Sequence, residues 1–157
     1  MVHKLIVIAV LAACSKQEPG AAGSGSSSAG SSAAGSRPAA ITQAMADTFE
    51  AYVAAFETLV NDIDATHGDC KAAVVAIERR TKEVAAMASR GEALREGMKS
   101  ARRDSAAGSW FSETFGPRMK KAAQRLGDAG EPCEDDEAYR SALNAAMAEY
   151  PMMRRKD

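Results

Sequence analysis

The three cysteines are the residues of this chain whose types and positions suggest chemistry most directly. Cys14 follows Leu11-Ala12-Ala13 at the end of a short apolar run, whereas Cys70 and Cys133 lie far along the charged remainder of the chain. A cysteine thiol can carry a lipid through a thioether, or it can pair with a second thiol in a disulfide. The sequence therefore offers one candidate anchoring thiol and one candidate cross-link.

The segment before Cys14 has the composition of an export signal. Lys4 supplies a positive charge, and residues 5–13 form an apolar run. That run is too short to cross a hydrocarbon core of ~30 Å as a helix. Its ending resembles the lipobox of bacterial lipoprotein signal peptides, which implies cleavage after Ala13 and attachment of diacylglycerol to Cys14. The alternative is an ordinary secretory signal cleaved ahead of a free thiol.

The resemblance also implies an address and a first partner, the membrane, reached through the N-terminal lipid. Ser15, rather than Asp, follows the cysteine, which resembles the outer-membrane sorting choice of bacteria with two membranes. We therefore expect residues 1–13 to be a signal peptide and the mature protein to be lipid-anchored in the cell envelope. The expected location is the outer membrane, facing the periplasm.

The next segment, residues 14–37, consists almost entirely of Gly, Ala and Ser after its first few positions. Such a composition cannot bury a core and predicts a flexible linker with a root-mean-square reach of roughly 25 Å. Residues 38–157 then remain for one folded domain.

Cysteine parity predicts a disulfide in that domain. With Cys14 taken by lipid, Cys70 and Cys133 remain as a pair in an oxidising compartment. Closing a loop of this length would stabilise the fold by ~4 kcal/mol in the chain-entropy argument. The alternative is two separately buried thiols.

The domain is rich in Ala, and its apolar residues recur at steps of three and four, which predicts an all-α fold. Asp69 is the expected N-cap of the second helix, and Gly68 is the expected left-handed residue after the first. A break is expected around residues 105–109, and Gly116-Pro117 predicts a kink or a division of the third segment. The predicted segments are 39–67, 70–103, 110–126 and 135–150.

Four such helices joined by short loops predict an up-down-up-down four-helix bundle. In that topology the second and fourth helices begin at the same end, which brings Cys70 and Cys133 together. A three-helix bundle with a stray fourth segment is the alternative.

The predicted bundle carries acidic residues at its disulfide end and basic residues at the other. The acidic groups could bind a divalent cation, but capping of helix N-termini explains them better. The basic groups could rest on anionic lipid, or they could simply complement helix C-termini. The acidic set is Asp62, Asp64, Asp69, Glu131, Glu134, Asp135, Asp136 and Glu137; the basic, membrane-facing set is Arg37, Lys99, Arg102, Arg103, Arg118, Lys120, Lys121, Arg154, Arg155 and Lys156.

Catalytic and cofactor motifs are weak throughout. His67 is the only histidine beyond the predicted signal peptide, and no nucleophile motif or Cys-x-x-Cys-His haem motif occurs. The formal net charge of −1 gives no indication of nucleic-acid binding. Trp110, Phe111 and Phe115 are expected to pack in the core, or alternatively to form an exposed membrane or protein contact.

The predicted function is a non-enzymatic, membrane-tethered helical module, without cofactor or metal, that binds an envelope protein. The alternative function is a small-ligand or metal-binding periplasmic carrier.

Overall fold

The computed structural model describes residues 36–101 and 103–150, and within them the chain forms α-helices and no strand. The all-α prediction is therefore confirmed. Cys14, the predicted signal peptide and nearly all of the predicted linker lie outside the described residues. The helices are α1 (Gln43–Asp64), α2 (Cys70–Ala85), α3 (Ala88–Ala101), α4 (Ser105–Gly130) and α5 (Glu137–Glu149), and a 3-10 turn (Glu131–Cys133) links α4 to α5.

Side-chain caps fix where four of these helices begin. Thr42, Asp69, Asp104 and Asp136 each accept a hydrogen bond from a backbone N–H in the first turn that follows. A cap of this kind contributes ~1 kcal/mol to helix stability. The predicted capping role of Asp69 is confirmed, and Asp104 and Asp136 serve α4 and α5 in the same way.

The loop after α1 contains the predicted left-handed residue. Gly68 has φ +85°, and His67 before it has φ +50°. Two consecutive residues with positive φ turn the chain sharply, so that only five residues separate the end of α1 from the start of α2. The prediction for Gly68 is confirmed.

Helix α1 forms the centre of the molecule. It packs against α2, α3 and α4, and its apolar residues at steps of three and four are buried as the sequence predicts. The fully buried side chains include Tyr52, Phe56, Leu59 and Ile63. Among the described residues, the side chains classed as buried are all apolar or aromatic, so the core is held by apolar packing.

The prediction of one helix over residues 70–103 is wrong, because the chain bends at Ala86 and Met87. There the Met87 N–H bonds to the Val84 carbonyl 2.9 Å away, a 3-10 pattern, and the Tyr52 hydroxyl donates to the Met87 carbonyl at 3.1 Å. The bend lets α2 pack against α5 while α3 packs against α1. Gly97 of α3 comes so close to Met45 that a Cβ there would lie 2.9 Å from its sulfur.

The third predicted segment is instead one helix, α4, which begins directly after Asp104 and continues through Pro117. The expected break at 105–109 therefore lies before Ser105, and Gly116-Pro117 does not divide the helix. Proline removes one backbone hydrogen bond to the carbonyl four residues earlier. Pro117 and Glu113 are both exposed, so water can serve that carbonyl, while the buried Phe115 holds the helix in place.

Side-chain contacts show how the helices run beside each other. Phe49 meets Phe111, Glu57 meets Arg118 and Asp64 meets Arg125, so α1 and α4 advance in the same direction. Helices α2 and α5 are linked near their starts by Cys70 and Cys133, whose sulfurs lie at disulfide-bonding distance and whose Cα atoms are 5.5 Å apart. The predicted cysteine pair is therefore confirmed.

Candidate functional site

The disulfide joins two tightly fitted loops. Cys70 is the first residue of α2, and Cys133 is the last residue of the 3-10 turn. The Gly68 carbonyl oxygen lies 3.6 Å from the Cys70 sulfur and 3.8 Å from the Cys133 sulfur. A Cβ on Gly68 would approach the Pro132 Cβ to 3.2 Å, so a larger residue would require a shift of a few tenths of an ångström there, besides the strain of its positive φ.

Four of the eight predicted acidic residues at this end have structural partners. Asp69 and Asp136 cap α2 and α5, whereas Asp62 and Asp64 bond to arginines. Within residues 36–101 and 103–150, no three or more His, Cys, Asp or Glu side chains are grouped as a metal site would require. Capping and ion pairing therefore account for these four carboxylates.

Two arginines of α4 bond to side chains of α1, an arrangement called here the α1–α4 ladder. Arg118 donates from Nε and Nη2 to Glu57 at 2.9 and 2.7 Å, and from Nη1 to Glu50 at 2.7 Å. Arg125 bonds to Asn61 and Asp64, both at 2.8 Å. Charged hydrogen bonds thus join the two helices at two successive levels.

The ladder changes the acidity of its members. The hydrogen bonds from Arg118 hold the pKa of the Glu57 carboxyl below its usual range, against the opposing effect of partial burial. The hydrogen bonds to Glu57 and Glu50 in turn raise the pKa of the Arg118 guanidinium. Because Arg118 keeps 39% of its side-chain surface exposed, solvent screens much of this interaction.

A second ion-pair group joins α1 to α2. Asp62 accepts from Arg79 at 2.8 Å and from Arg80 at 2.6 Å, and Arg80 also bonds to Glu83. The hydrogen bond from Arg80 lowers the pKa of Asp62 more than burial raises it. Both ion-pair groups therefore hold α1 against its neighbours.

The surface beside the α1–α4 ladder contains a shallow depression. Its volume is about 110 Å³, and ordinary small-molecule pockets measure roughly 300 Å³ or more. Two of its lining residues, Glu57 and Arg118, are already bonded to each other. The depression is lined by Glu57, Val60, Arg118, Lys121, Ala122 and Arg125.

The aromatic residues of α4 pack together as the core interpretation predicts. Phe111 and Phe115 are buried, and both rings lie against Phe49 with centroids 4.8 and 4.7 Å apart. Trp110 is partly buried and meets both phenylalanines edge-on. This cluster fixes the N-terminal half of α4 to α1.

The predicted basic, membrane-facing residues do not all lie together. Arg118 bonds to Glu50 and Glu57 opposite the middle of α1, away from both helix ends, so its assignment to a basic end needs correction. Lys99 is paired with Glu96, and Arg37 is exposed and donates to Gln43. Arg103 is exposed. Arg102, Arg154, Arg155 and Lys156 lie outside the described residues.

The α1–α4 ladder was not predicted, although the sequence contains a signal for it. Glu50, Glu57 and Asp64 are spaced by seven residues, and so are Arg118 and Arg125. Opposite charges at heptad spacing on two helices are typical of neighbours that run in register. This pattern could have identified α1 and α4 as packed partners.

Comparison with protein-family models, curated proteins and solved structures finds no match for this chain. No helix of the described residues is long and apolar enough to cross a membrane. A functional assignment must therefore come from the residues of this chain.

Proposed function

We propose that this chain is a lipid-anchored envelope lipoprotein whose helical domain is a non-enzymatic module for binding an envelope protein. One observation carries the proposal. Leu11-Ala12-Ala13-Cys14 closes an apolar run behind Lys4, and a Gly, Ala and Ser segment follows it. In this account the lipid on Cys14 holds the domain at a membrane surface.

The chemistry of the described residues supports a binding module over an enzyme. Strongly shifted pKa values often mark catalytic groups, but they also arise in structural ion pairs. Here the carboxylates with lowered pKa, Glu57 and Asp62, are both bonded to arginines that join helices. Their charges are thus used to hold α1 against α2 and α4.

The finer architecture is part of the same proposal. We assign the domain to an up-down-up-down bundle in which α2 and α3 together take the second position. Two observations support this: α1 and α4 run in the same direction, and the disulfide joins α2 and α5 near their starts. Arg37 and Arg103 then belong to the end that faces the lipid, and Ser15 directs the protein to the outer membrane.

Cell fractionation with three signal variants tests the anchor. Cys14→Ser removes the lipid acceptor, and Ala13→Leu places a large residue where the peptidase requires a small one. Both variants are expected to lower the amount of mature, processed protein in the detergent-extracted membrane fraction. Ala13→Gly is the matched control and should behave as the native chain. If mature Cys14→Ser protein is found in the membrane fraction in the same amount as the native chain, the proposal is overturned.

Thermal unfolding separates the binding module from a small-ligand or metal carrier. A ligand that binds the folded state raises its melting temperature by mass action. The module is expected to melt at the same temperature with and without added Ca²⁺, Zn²⁺ or haem. A reproducible rise with any of them would favour the carrier instead. Cross-linking in cells, comparing the native chain with Cys14→Ser, then tests for an envelope partner that depends on anchoring.

The orientation of the domain is tested with vesicles. If the basic end faces lipid, the domain should bind anionic vesicles at low salt and lose that binding at high salt. Equal binding to neutral vesicles would remove this part of the proposal.

A further inference from the structure

We propose that the two cysteines of the disulfide have different roles in thiol–disulfide exchange. In this account Cys70 is the cysteine that exchanges with an external disulfide or thiol, and Cys133 is the resolving cysteine. The partner class is a thiol–disulfide oxidoreductase or a small disulfide such as oxidised glutathione. The inference concerns the folded domain alone and does not depend on the lipid anchor.

The two sulfurs of the pair belong to residues with different exposure. Cys133, the last residue of the 3-10 turn, is 1% exposed. Cys70 is only partly buried. Thiol–disulfide exchange requires an in-line approach of the incoming sulfur, so the more accessible sulfur is attacked. The fold therefore leaves Cys70 more exposed to solvent than Cys133.

The backbone around the two cysteines also differs. Cys70 is the first residue of the 16-residue helix α2, directly after Asp69, whose carboxylate caps that helix. Cys133 ends a short 3-10 turn, and Gly68 packs against Pro132 just before it. The difference in exposure thus selects Cys70 as the cysteine that an external sulfur reaches first.

The oxidation then proceeds in two balanced steps. The Cys70 thiolate attacks one sulfur of the oxidant disulfide, forming a mixed disulfide and releasing the oxidant's second sulfur as a thiolate. The Cys133 thiol loses its proton and attacks the Cys70 sulfur, which forms the Cys70–Cys133 bond and releases the oxidant's first sulfur. Two electrons pass to the oxidant, whose two sulfurs take up two protons and become thiols. Reduction retraces the same mixed disulfide on Cys70.

This retraced path allows a test on the folded, oxidised protein. The full chain carrying Cys14→Ser, so that no third thiol competes, is mixed with reduced glutathione and quenched with acid after short times. Peptide mapping by mass spectrometry then locates the glutathione adduct. We expect at least about tenfold more adduct on Cys70 than on Cys133, because access governs exchange.

Denaturant provides the internal control. In concentrated urea, where burial no longer distinguishes the two sulfurs, the preference should fall to within about twofold. Single-cysteine variants give a second measurement: with oxidised glutathione, Cys133→Ser should gain the adduct at least about tenfold faster than Cys70→Ser. Equal labelling of both cysteines in the folded oxidised chain, or a preference for Cys133, would overturn the proposal.

Discussion

At the residue scale, charged side chains contribute to this fold through their partners. Glu57 and Asp62 each bond to arginines on a neighbouring helix, and both have a pKa below the usual range. A lowered pKa in the folded state means that protonation favours unfolding. The stabilising effect is therefore present above the unfolded pKa of about 4.3 for Glu or 3.9 for Asp, and it is lost as the pH falls further.

Acid titration of stability follows from these pairs. We expect the free energy of unfolding to decrease as the pH falls below about 4.3, and Glu57→Gln to remove part of that decrease. At pH 7 the variant should lose roughly 0.5–1 kcal/mol, because the pair is partly exposed. Urea unfolding at pH 7 and pH 3 measures this, with the exposed Glu78→Gln as control. An unchanged pH profile for Glu57→Gln would contradict the assignment.

Two glycines near the end of α4 should respond in opposite ways to the same substitution. A Cβ on Gly127 would meet no atom within 4 Å, whereas one on Gly130 would collide with the hydroxyl of the buried Tyr139. Gly127→Ala should stabilise the protein by about 0.5–1 kcal/mol through helix propensity. Gly130→Ala should destabilise it by about 1–3 kcal/mol through overpacking.

Tyr139→Phe tests the cause of that difference. The Tyr139 hydroxyl is buried and makes no hydrogen bond with the described residues, and burial raises its pKa. Removing the hydroxyl should be neutral or stabilising, and it should recover much of the Gly130→Ala loss. Thermal unfolding of the two single variants and the double variant measures the coupling. Additive effects would show that the collision is not the cause.

At this scale the sequence predicts local features better than long-range ones. Asp69 and Gly68 could be assigned because a cap or a left-handed turn depends on neighbouring residues only. The partners of Arg118 lie 61 and 68 residues away. Such pairing depends on which faces of two helices pack together. The seven-residue spacing of the charges becomes informative only when the two helices are compared with each other.

At the element scale, α3 differs from the other helices. It packs mainly against α1, whereas α2 also packs against α5. Its 14 residues include two glycines, Gly91 and Gly97, and each costs ~1 kcal/mol relative to alanine inside a helix. Helix α3 is therefore held by fewer neighbouring helices than α2, and its glycines weaken its helical structure.

Hydrogen exchange should show this difference directly. We expect the amides of α3 to exchange at least about tenfold faster than those of α2, because local opening costs less where contacts are few. Exchange measured by mass spectrometry on the folded chain, with peptides from the middle of each helix, provides the comparison. Equal protection of the two helices would mean that α3 opens only with the whole domain.

The division between α2 and α3 could not be predicted from the residues at the bend. Ala86 and Met87 both favour helices, and the nearby glycine lies four residues farther along the chain. The bend is instead accompanied by the hydrogen bond from Tyr52 to the Met87 carbonyl and by the packing of α3 against α1. Similarly, Pro117 remains in α4 because tertiary packing on both sides outweighs one lost hydrogen bond.

At the scale of the whole molecule, the disulfide closes a separation of 63 residues and links the starts of α2 and α5. In the chain-entropy argument such a loop contributes about 4 kcal/mol to stability. Urea unfolding of the Cys14→Ser chain with and without reductant should show a loss of that order. A change below about 1 kcal/mol would indicate that the helices hold these loops without the cross-link.

We propose that a lipid on Cys14 tethers the folded helical domain to the envelope. Mass spectrometry of the protein extracted from membranes of a producing bacterium tests this most directly. We expect an N-terminal peptide that begins at Cys14 and carries diacylglycerol on its sulfur, together with a peptide pair linked through Cys70 and Cys133. An exported chain whose Cys14 is unmodified would contradict it.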